Sequence, residues 1–342
     1  MLGMPNSRSA NRFWRLDRHP VEFDFAAAMS FDEGSVPEPR AGEVVIENEI
    51  VSLDAGTRMW MSPRTDGYQP PLPLGSTMCG LVLGRIVASR HPSYAVGALA
   101  RAFGSWADYS RVIPEQAGLV VLDETVADVR EHLGSLGLNA WTAFVGITET
   151  ARTRPGETVA VSAAAGATGL LAAQIAKIMG CRVIGITGGP AKCAFLRDEV
   201  GLDDAIDYKS ADLDAQLDAI VGGIDVYFDN VGGALLDSVL PRMAHYGRVA
   251  LSGLMATYSA DTPTPLARFD QVLMRRLTIS GVFSPDFTHR GEKLNRKLRH
   301  WVDQGRLKMR FDMNYGLENM LAAYGKLFVG GNIGKVLVAL KR

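Results

Sequence analysis

At 342 residues the chain exceeds what a single hydrophobic core ordinarily organises, so two domains are expected. Apolar residues make up 47% and charged residues 21%, a globular composition, and a net charge of −1 gives no electrostatic footprint for nucleic acid or an anionic membrane. Both are excluded as partners. Three scattered cysteines, Cys79, Cys181 and Cys193, suit neither a disulfide framework nor the short Cys-x2-4-Cys spacing of structural zinc. The first residues, MLGMPNSRSANRFWRL, lack the apolar core of a signal peptide, and no run of about 18 apolar residues could span a bilayer. A soluble protein of the reducing cytoplasm is expected.

Residues 11–125 read as short strands broken by Gly and Pro turns. Residues 43–53, with VVIENEIVSL, alternate, as do parts of 79–89 and 106–113, and 62–75 is rich in Pro and Gly. That pattern predicts a barrel-like, mostly β domain. The pattern changes near residue 133, where 133–148 reads as helix. Strands are then expected at 158–163, 182–187, 205–208, 225–230, 248–253 and 277–283, with helices between most of them, including 167–180 and 191–200. Such alternation signifies a parallel sheet covered by helices. A helix at 317–328 and a strand at 335–340 follow, the strand returning to the first domain. The expected fold class is therefore α/β: a Rossmann doubly wound domain, 138–304, inserted into a discontinuous barrel-like catalytic domain, 1–137 and 305–342.

The strongest chemical signal is TVAVSAAAGATGLLAAQIAKIMG, residues 158–180. A buried strand runs into Ala164-Ala165-Gly166-Ala167-Thr168-Gly169 and then into an apolar helix, a dinucleotide fingerprint with Ala164 in place of the first Gly. Gly166 would let backbone approach a pyrophosphate, Gly169 would permit close helix–strand packing, and the helix N-terminus would offer free N–H groups. Sites for NAD place an acid about 20 residues on, at the end of the second strand. Here RVIGIT ends in Gly188-Gly189-Pro190-Ala191-Lys192, with no acid. Lys192 can pair with a 2′-phosphate that a carboxylate would repel, which favours NADP(H).

VSAAAGATG, GCRVIGITGG, IDVYFDNVGG and GRVALSG together resemble the medium-chain dehydrogenase/reductase superfamily. More narrowly, the chain resembles its zinc-independent branch of leukotriene hydroxydehydrogenase/prostaglandin reductases and 2-alkenal or double-bond reductases. The likeness runs nearly end to end, through NRFWRL, SLDAGTR, LGLNAWTAF, DYK and NIGKVLV. It implies a GroES-like first domain and reduction of the double bond of an enal or enone by NADPH. It also implies that Lys192 and Tyr208 hold the 2′-phosphate, beside Gly189, and that Thr142 lies near the nicotinamide. Asn230 would stand at the end of the fourth strand beside the cofactor, and Ser252, Gly253 and the loop through Tyr258 would line ribose and nicotinamide. Val282, Phe283 and Ser284 would flank the nicotinamide, and Asn332 would cap the cofactor. Two further features depart from the family's pattern. Small residues, Ala55-Gly56, stand where an aromatic is common, with bulky Trp60 and Met61 nearby, and Gly97-Ala98 replaces a Gly-Asp pair.

The zinc-dependent relatives need Cys, His and a Gly-His-Glu element, whereas the comparable stretch, Pro73 to Gly80, has neither His nor Glu. Without metal, a hydrogen-bond donor must meet the carbonyl oxygen on which charge develops, and Tyr258 is the candidate for donor and proton relay. Trp60, Tyr68 and Tyr258 are the candidate substrate contacts. Quinone reduction and non-catalytic NADPH binding are the alternatives. The sixth strand is expected at the sheet edge, where an open edge invites a second copy, hence a homodimer.

Overall fold

In the computed structural model the described residues are 10–67, 69–220, 222–258 and 265–340. Two compact units emerge: one holds residues up to Val129, Asp312–Gly331 and those from Val336, the other Arg130–Phe311 and Asn332–Lys335.

The first unit opens with β1 (Asn11–Leu16) antiparallel to β2 (Met29–Gly34), joined through the one-turn helix α1 (Phe25–Ala28). Asp24 caps that turn by accepting from Ala27 N at 3.0 Å, the usual use of Asp before a helix. Then come β3 (Val44–Ser52), β4 (Cys79–Ser89), β5 (Leu99–Ser105), β6 (Tyr109–Val112) and the short β7 (Val120–Val121). β3 buries polar Asn48, whose amide nitrogen is satisfied by donating to Ala107 O at 2.8 Å and Ser110 Oγ at 2.9 Å.

The second unit begins with helix α2 (Leu138–Val145), which runs on into a π-turn to Thr150. The helix starts later than the apolar pattern predicts because Gly137 occupies its N-cap. Strand and helix then alternate: β8 (Thr158–Ser162), α3 (Ala167–Ile178), β9 (Arg182–Thr187), α4 (Pro190–Ala194), β10 (Asp204–Asp207), α5 (Leu213–Asp218), β11 (Ile224–Asp229), α6 (Gly233–Val239), β12 (Met243–Leu251), α7 (Gln271–Met274), β13 (Thr278–Gly281) and α8 (Gly291–Asp303). All six strands are parallel, in the order β10-β9-β8-β11-β12-β13. The chain moves outward from β8 to β10, then crosses to β11 and moves outward again. The direction therefore reverses between β8 and β11, and a crevice opens at such a point beyond the carboxyl ends of the strands. β8 reads TVAVS and is buried throughout because both faces are covered. Val159 and Val161 join Leu170, Leu171 and Phe228 in one core layer, while Ala160 joins Ile184, Tyr227 and Leu236 in the other.

Strand β13 lies at the sheet edge as expected, although Thr278 and Gly281 are exposed and make it less apolar than its flanks suggest. The chain then enters β14 (Phe311–Tyr315), α9 (Met320–Val329) and β15 (Lys335–Ala339). β15 pairs antiparallel with β3, Leu337 opposite Ser52, which completes the sheet β14-β15-β3-β4-β5-β7 with β6 also on β3. The returning strand is thus where the sequence put it. Leu16, Val51, Trp106 and Tyr324 anchor the core of this first unit.

Candidate functional site

The fingerprint turn follows β8. Ala163 has φ 48°, a left-handed conformation that L-residues other than Asn and Asp seldom adopt. The reversal falls one residue before Ala164, the position of the missing Gly, and Ala164 is buried with its N–H donating to Ile186 O at 3.1 Å. Gly166 caps α3 at φ −87°, open to any residue, and a Cβ there would come 3.2 Å from Ala163 O. Gly169 is a different case. A Cβ on it would overlap the Ala163 carbonyl, 2.8 Å from the carbonyl carbon, so only glycine lets the helix press onto the turn. The N–H groups of Ala167, Thr168 and Gly169 lie in the first turn of this 12-residue helix, where no helical carbonyl precedes them. With the positive end of the helix dipole, they suit a phosphate.

Two neighbours brace the turn. Asn139 Nδ2 donates to Thr168 Oγ1 at 2.9 Å, tying α2 to α3. Gly334 N donates to Ala165 O at 2.7 Å, and Asn332 Nδ2 donates to Gly334 O at 2.9 Å, so the segment carrying Asn332 is fixed at the turn. Gly334 has φ 76° and abuts the Arg310 backbone, a requirement for glycine that the fingerprint does not include.

Beyond β9, Gly189 (φ 93°) opens α4 and places Lys192 in its first turn. The Tyr208 ring and the Lys209 stem lie over Gly188: a Cβ there would meet Tyr208 Cε1 and Lys209 Cε, each at 3.0 Å. Burial, and then the neighbouring Lys209 charge, hold the Lys192 ammonium below the ordinary lysine range. Asp207, a carboxylate at this corner, spends its Oδ1 on Gly189 N at 2.8 Å and Lys209 N at 3.0 Å. Two ammonium groups, a phenol and a helix start thus share a corner short of negative charge, which fits a phosphate monoester. Lys209 was missed as a site residue; its only signal was its place directly after Tyr208.

At the crevice, Asp229 ends β11 fully buried and accepts from Ser162 Oγ at 2.8 Å and Val231 N at 2.9 Å. Burial pushes its carboxyl above the usual range, with the Val231 and Gly232 N–H groups pulling it back. Asn230 donates from Nδ2 to Ser162 O at 2.7 Å, so its amide ties two strand ends. Ser252 N and Gly253 N both donate to Asp229 O, at 2.7 and 3.2 Å. Leu254 N donates to Tyr258 Oη at 3.3 Å, and that oxygen lies 3.1 Å from where a Gly253 Cβ would stand. On the far side of α2's start, Thr142 Oγ1 and Ser284 Oγ are 3.2 Å apart, and Ser284 is buried. Val282 N donates to Leu251 O at 2.8 Å, and Phe283 is 41% exposed beside it. The second unit therefore gathers the glycine turn, the basic corner and the Tyr258 loop at the carboxyl ends of one sheet. A groove of about 630 Å³ along the flank of α3, lined by residues such as Gln174, Phe195 and Arg310, includes none of these residues.

Trp60 belongs to the first unit, in a 3-10 segment, Ala55–Met61. It is buried, its ring centroid 5.7 Å from that of Phe103, and its indole N–H has no acceptor among the described residues. Tyr68 lies outside the described residues. Among the described residues no three of His, Cys, Asp and Glu come together as metal ligands, and burial pushes the Cys79 thiol up to about 11.

Residues 12–121 match the family described as the N-terminal domain of oxidoreductase, and residues 167–299 that described as zinc-binding dehydrogenase. NADPH-dependent curcumin reductase of Escherichia coli (strain K12) is 32% identical, covering 98% of this chain and 98% of that one. The NADP(+)-dependent 2-alkenal reductase of Nicotiana tabacum is 32% identical over 95% of this chain and 94% of that one. The crystal structure of CurA in complex with NADPH from Vibrio vulnificus superimposes with a TM-score of 0.90, at 33% identity, over 97% of this chain and 99% of that one.

Proposed function

Because the chain belongs to the zinc-independent branch of the medium-chain dehydrogenase/reductase family, we propose that it reduces the carbon–carbon double bond of an α,β-unsaturated aldehyde or ketone with NADPH. One observation carries the choice of cofactor. Where an acid would hold a ribose 2′-hydroxyl, Gly188-Gly189 stands between Lys192 and Lys209, with Asp207 already committed to backbone N–H groups. The names of the relatives supply the reaction class.

In this reading Lys192 and Tyr208, joined by Lys209, hold the 2′-phosphate, and the N–H groups of Ala167, Thr168 and Gly169 hold the pyrophosphate. Ser252, Gly253 and Asn332 line the ribose side, and Thr142, Val282, Phe283 and Ser284 the nicotinamide side, with Asn230 setting the strand end between them. Bound NADPH supplies the hydride that reaches the β-carbon of the substrate. Negative charge then develops on the carbonyl oxygen, and the Tyr258 hydroxyl donates to it. The contact from Leu254 N uses a lone pair of the phenol oxygen, not its proton, and makes that proton a better donor. As the enolate charge returns to carbon, the same hydroxyl passes its proton toward the α-carbon and is reprotonated from solvent.

Tyr258→Phe tests this. Turnover of a 2-alkenal should fall about a hundredfold while the NADPH dissociation constant stays within about threefold. Unchanged turnover removes Tyr258 from the reaction, and faster turnover of a quinone than of any enal replaces the substrate class. A homodimer across the β13 edge goes with this reading, supported by Leu273 at 75% and Met274 at 56% exposure just before that strand. A monomer mass in sedimentation equilibrium would dismiss it. A cytoplasmic location, where buried free thiols such as Cys181 and Cys193 stay reduced, completes it.

A further inference from the structure

Asp229 is the most buried carboxylate at the crevice, and it faces protein, not solvent. Oδ1 accepts from Ser162 Oγ at 2.8 Å and Val231 N at 2.9 Å, and Gly232 N lies 3.1 Å from each carboxylate oxygen. These bonds set the reversal that follows β11, where Gly232 has φ 67°. The carbonyls of that reversal carry the next loop: Asn230 O accepts from Met255 N at 3.3 Å and Val231 O from Ala256 N at 3.0 Å. A single 3-10 turn, Met255–Thr257, then delivers Tyr258, whose hydroxyl oxygen returns to Leu254 N. None of the residues of that turn is buried. Its hydrogen bonds to the reversal therefore tie the turn that delivers the phenol to the end of β11.

We propose that Asp229 is a positioning residue for the Tyr258 hydroxyl, acting through the Asn230–Gly232 reversal and the Met255–Thr257 turn. The inference rests on the reading of Tyr258 as the donor to the substrate. An ionised carboxylate can accept from Ser162, Val231 and Gly232 together. An amide of the same shape keeps one acceptor and turns an NH2 toward a backbone N–H, which opens the reversal. The bond missing in Asp229→Asn therefore lies two loops away from the phenol it displaces.

The experiment is a double-mutant cycle on the full chain, with D229N, Y258F and the pair. D229N should lower turnover of a 2-alkenal about tenfold when Tyr258 is present and less than about twofold in the Y258F background, with NADPH affinity within about threefold of wild type. In protein labelled with 13Cζ-tyrosine and free of cofactor, the signal absent from the Y258F spectrum should shift in D229N. Multiplying effects, an unmoved signal or a large loss of NADPH affinity each overturn the proposal while leaving Tyr258 as donor. If Y258F alone turns over normally, both the donor reading and this inference fail. Should D229N not fold, S162A, which deletes only the hydroxyl between Asp229 and Asn230 N, enters the same cycle under the same criteria.

Discussion

Lys192→Ala is the sharpest test of the cofactor reading, because it removes one cation from a corner whose neighbouring carboxylate, Asp207, accepts from backbone N–H groups. Among the described residues Lys192 has no hydrogen bond or ion pair that its loss would break, and its charge is disfavoured by burial and by Lys209. The cost should therefore appear in binding and not in folding. A charge-assisted hydrogen bond to a phosphate is worth roughly 1.5–3 kcal/mol, and about 1.4 kcal/mol is tenfold in affinity. With Lys209 still present, a loss of about 2 kcal/mol is expected, roughly 30-fold in the NADPH dissociation constant. NADH lacks the phosphate, so its weaker binding should stay within about twofold and the preference between cofactors should collapse. Titration of each cofactor by calorimetry or nicotinamide fluorescence measures both numbers on one sample. Equal weakening of NADPH and NADH would place Lys192 elsewhere on the cofactor, and unchanged NADPH binding would refute the basic corner altogether.

Three other outcomes follow from the same geometry. Gly169→Ala forces a Cβ into the Ala163 carbonyl and should cost about 1–3 kcal/mol in urea unfolding, whereas Gly166→Ala should barely change stability yet weaken NADPH binding; the reverse ranking would overturn the assigned roles. The NADPH dissociation constant should rise with pH. Lys192 titrates below its ordinary value of about 10.4 in the free protein, and a phosphate partner restores its charge, so binding takes up protons across the alkaline window beneath that value. The free protein should gain stability over that window, because the unfolded chain there binds more protons than the folded one; a flat NADPH profile, or the same slope for NADH, would refute the assignment. Trp60→Phe removes a buried N–H that has no acceptor among the described residues, a group whose burial costs about 1–3 kcal/mol, so stability should hold or rise while the ranking of enal and enone substrates shifts. Loss of stability with an unchanged ranking would make Trp60 a packing residue only.

The second unit was legible wherever one physical rule dominates. TVAVS can be little else but a strand covered on both faces, and its apolar helix after Gly169 fixes the turn between them. The absence of an acid after RVIGIT was equally readable, since an acid there would repel a 2′-phosphate. The first unit was legible as strands, but their partners were not. That β15 closes on β3 depends on pairing across more than 280 residues, which the alternation of either strand leaves open.

What stayed hidden has a common cause: it depends on contacts between segments that are distant in sequence. Ala163 takes the left-handed turn in a run of three alanines, and nothing in alanine marks which one must bend. The bend is imposed by Gly169 pressing on the Ala163 carbonyl and by Ala165 O receiving Gly334 N from a segment 169 residues later. Lys209 is the same kind of case. In sequence it is an ordinary surface lysine, and it becomes part of the basic corner only because β10 lies next to β9, which brings its stem over Gly188. Asp229 carries no signal of its own within IDVYFDNVGG; its place at the crevice emerges when Ser162, 67 residues earlier, is found donating to it. A fingerprint captures the backbone that must approach the phosphates, because that demand is local. The groups that hold the fingerprint in place are chosen by the sheet order, and so only the assembled sheet reveals them.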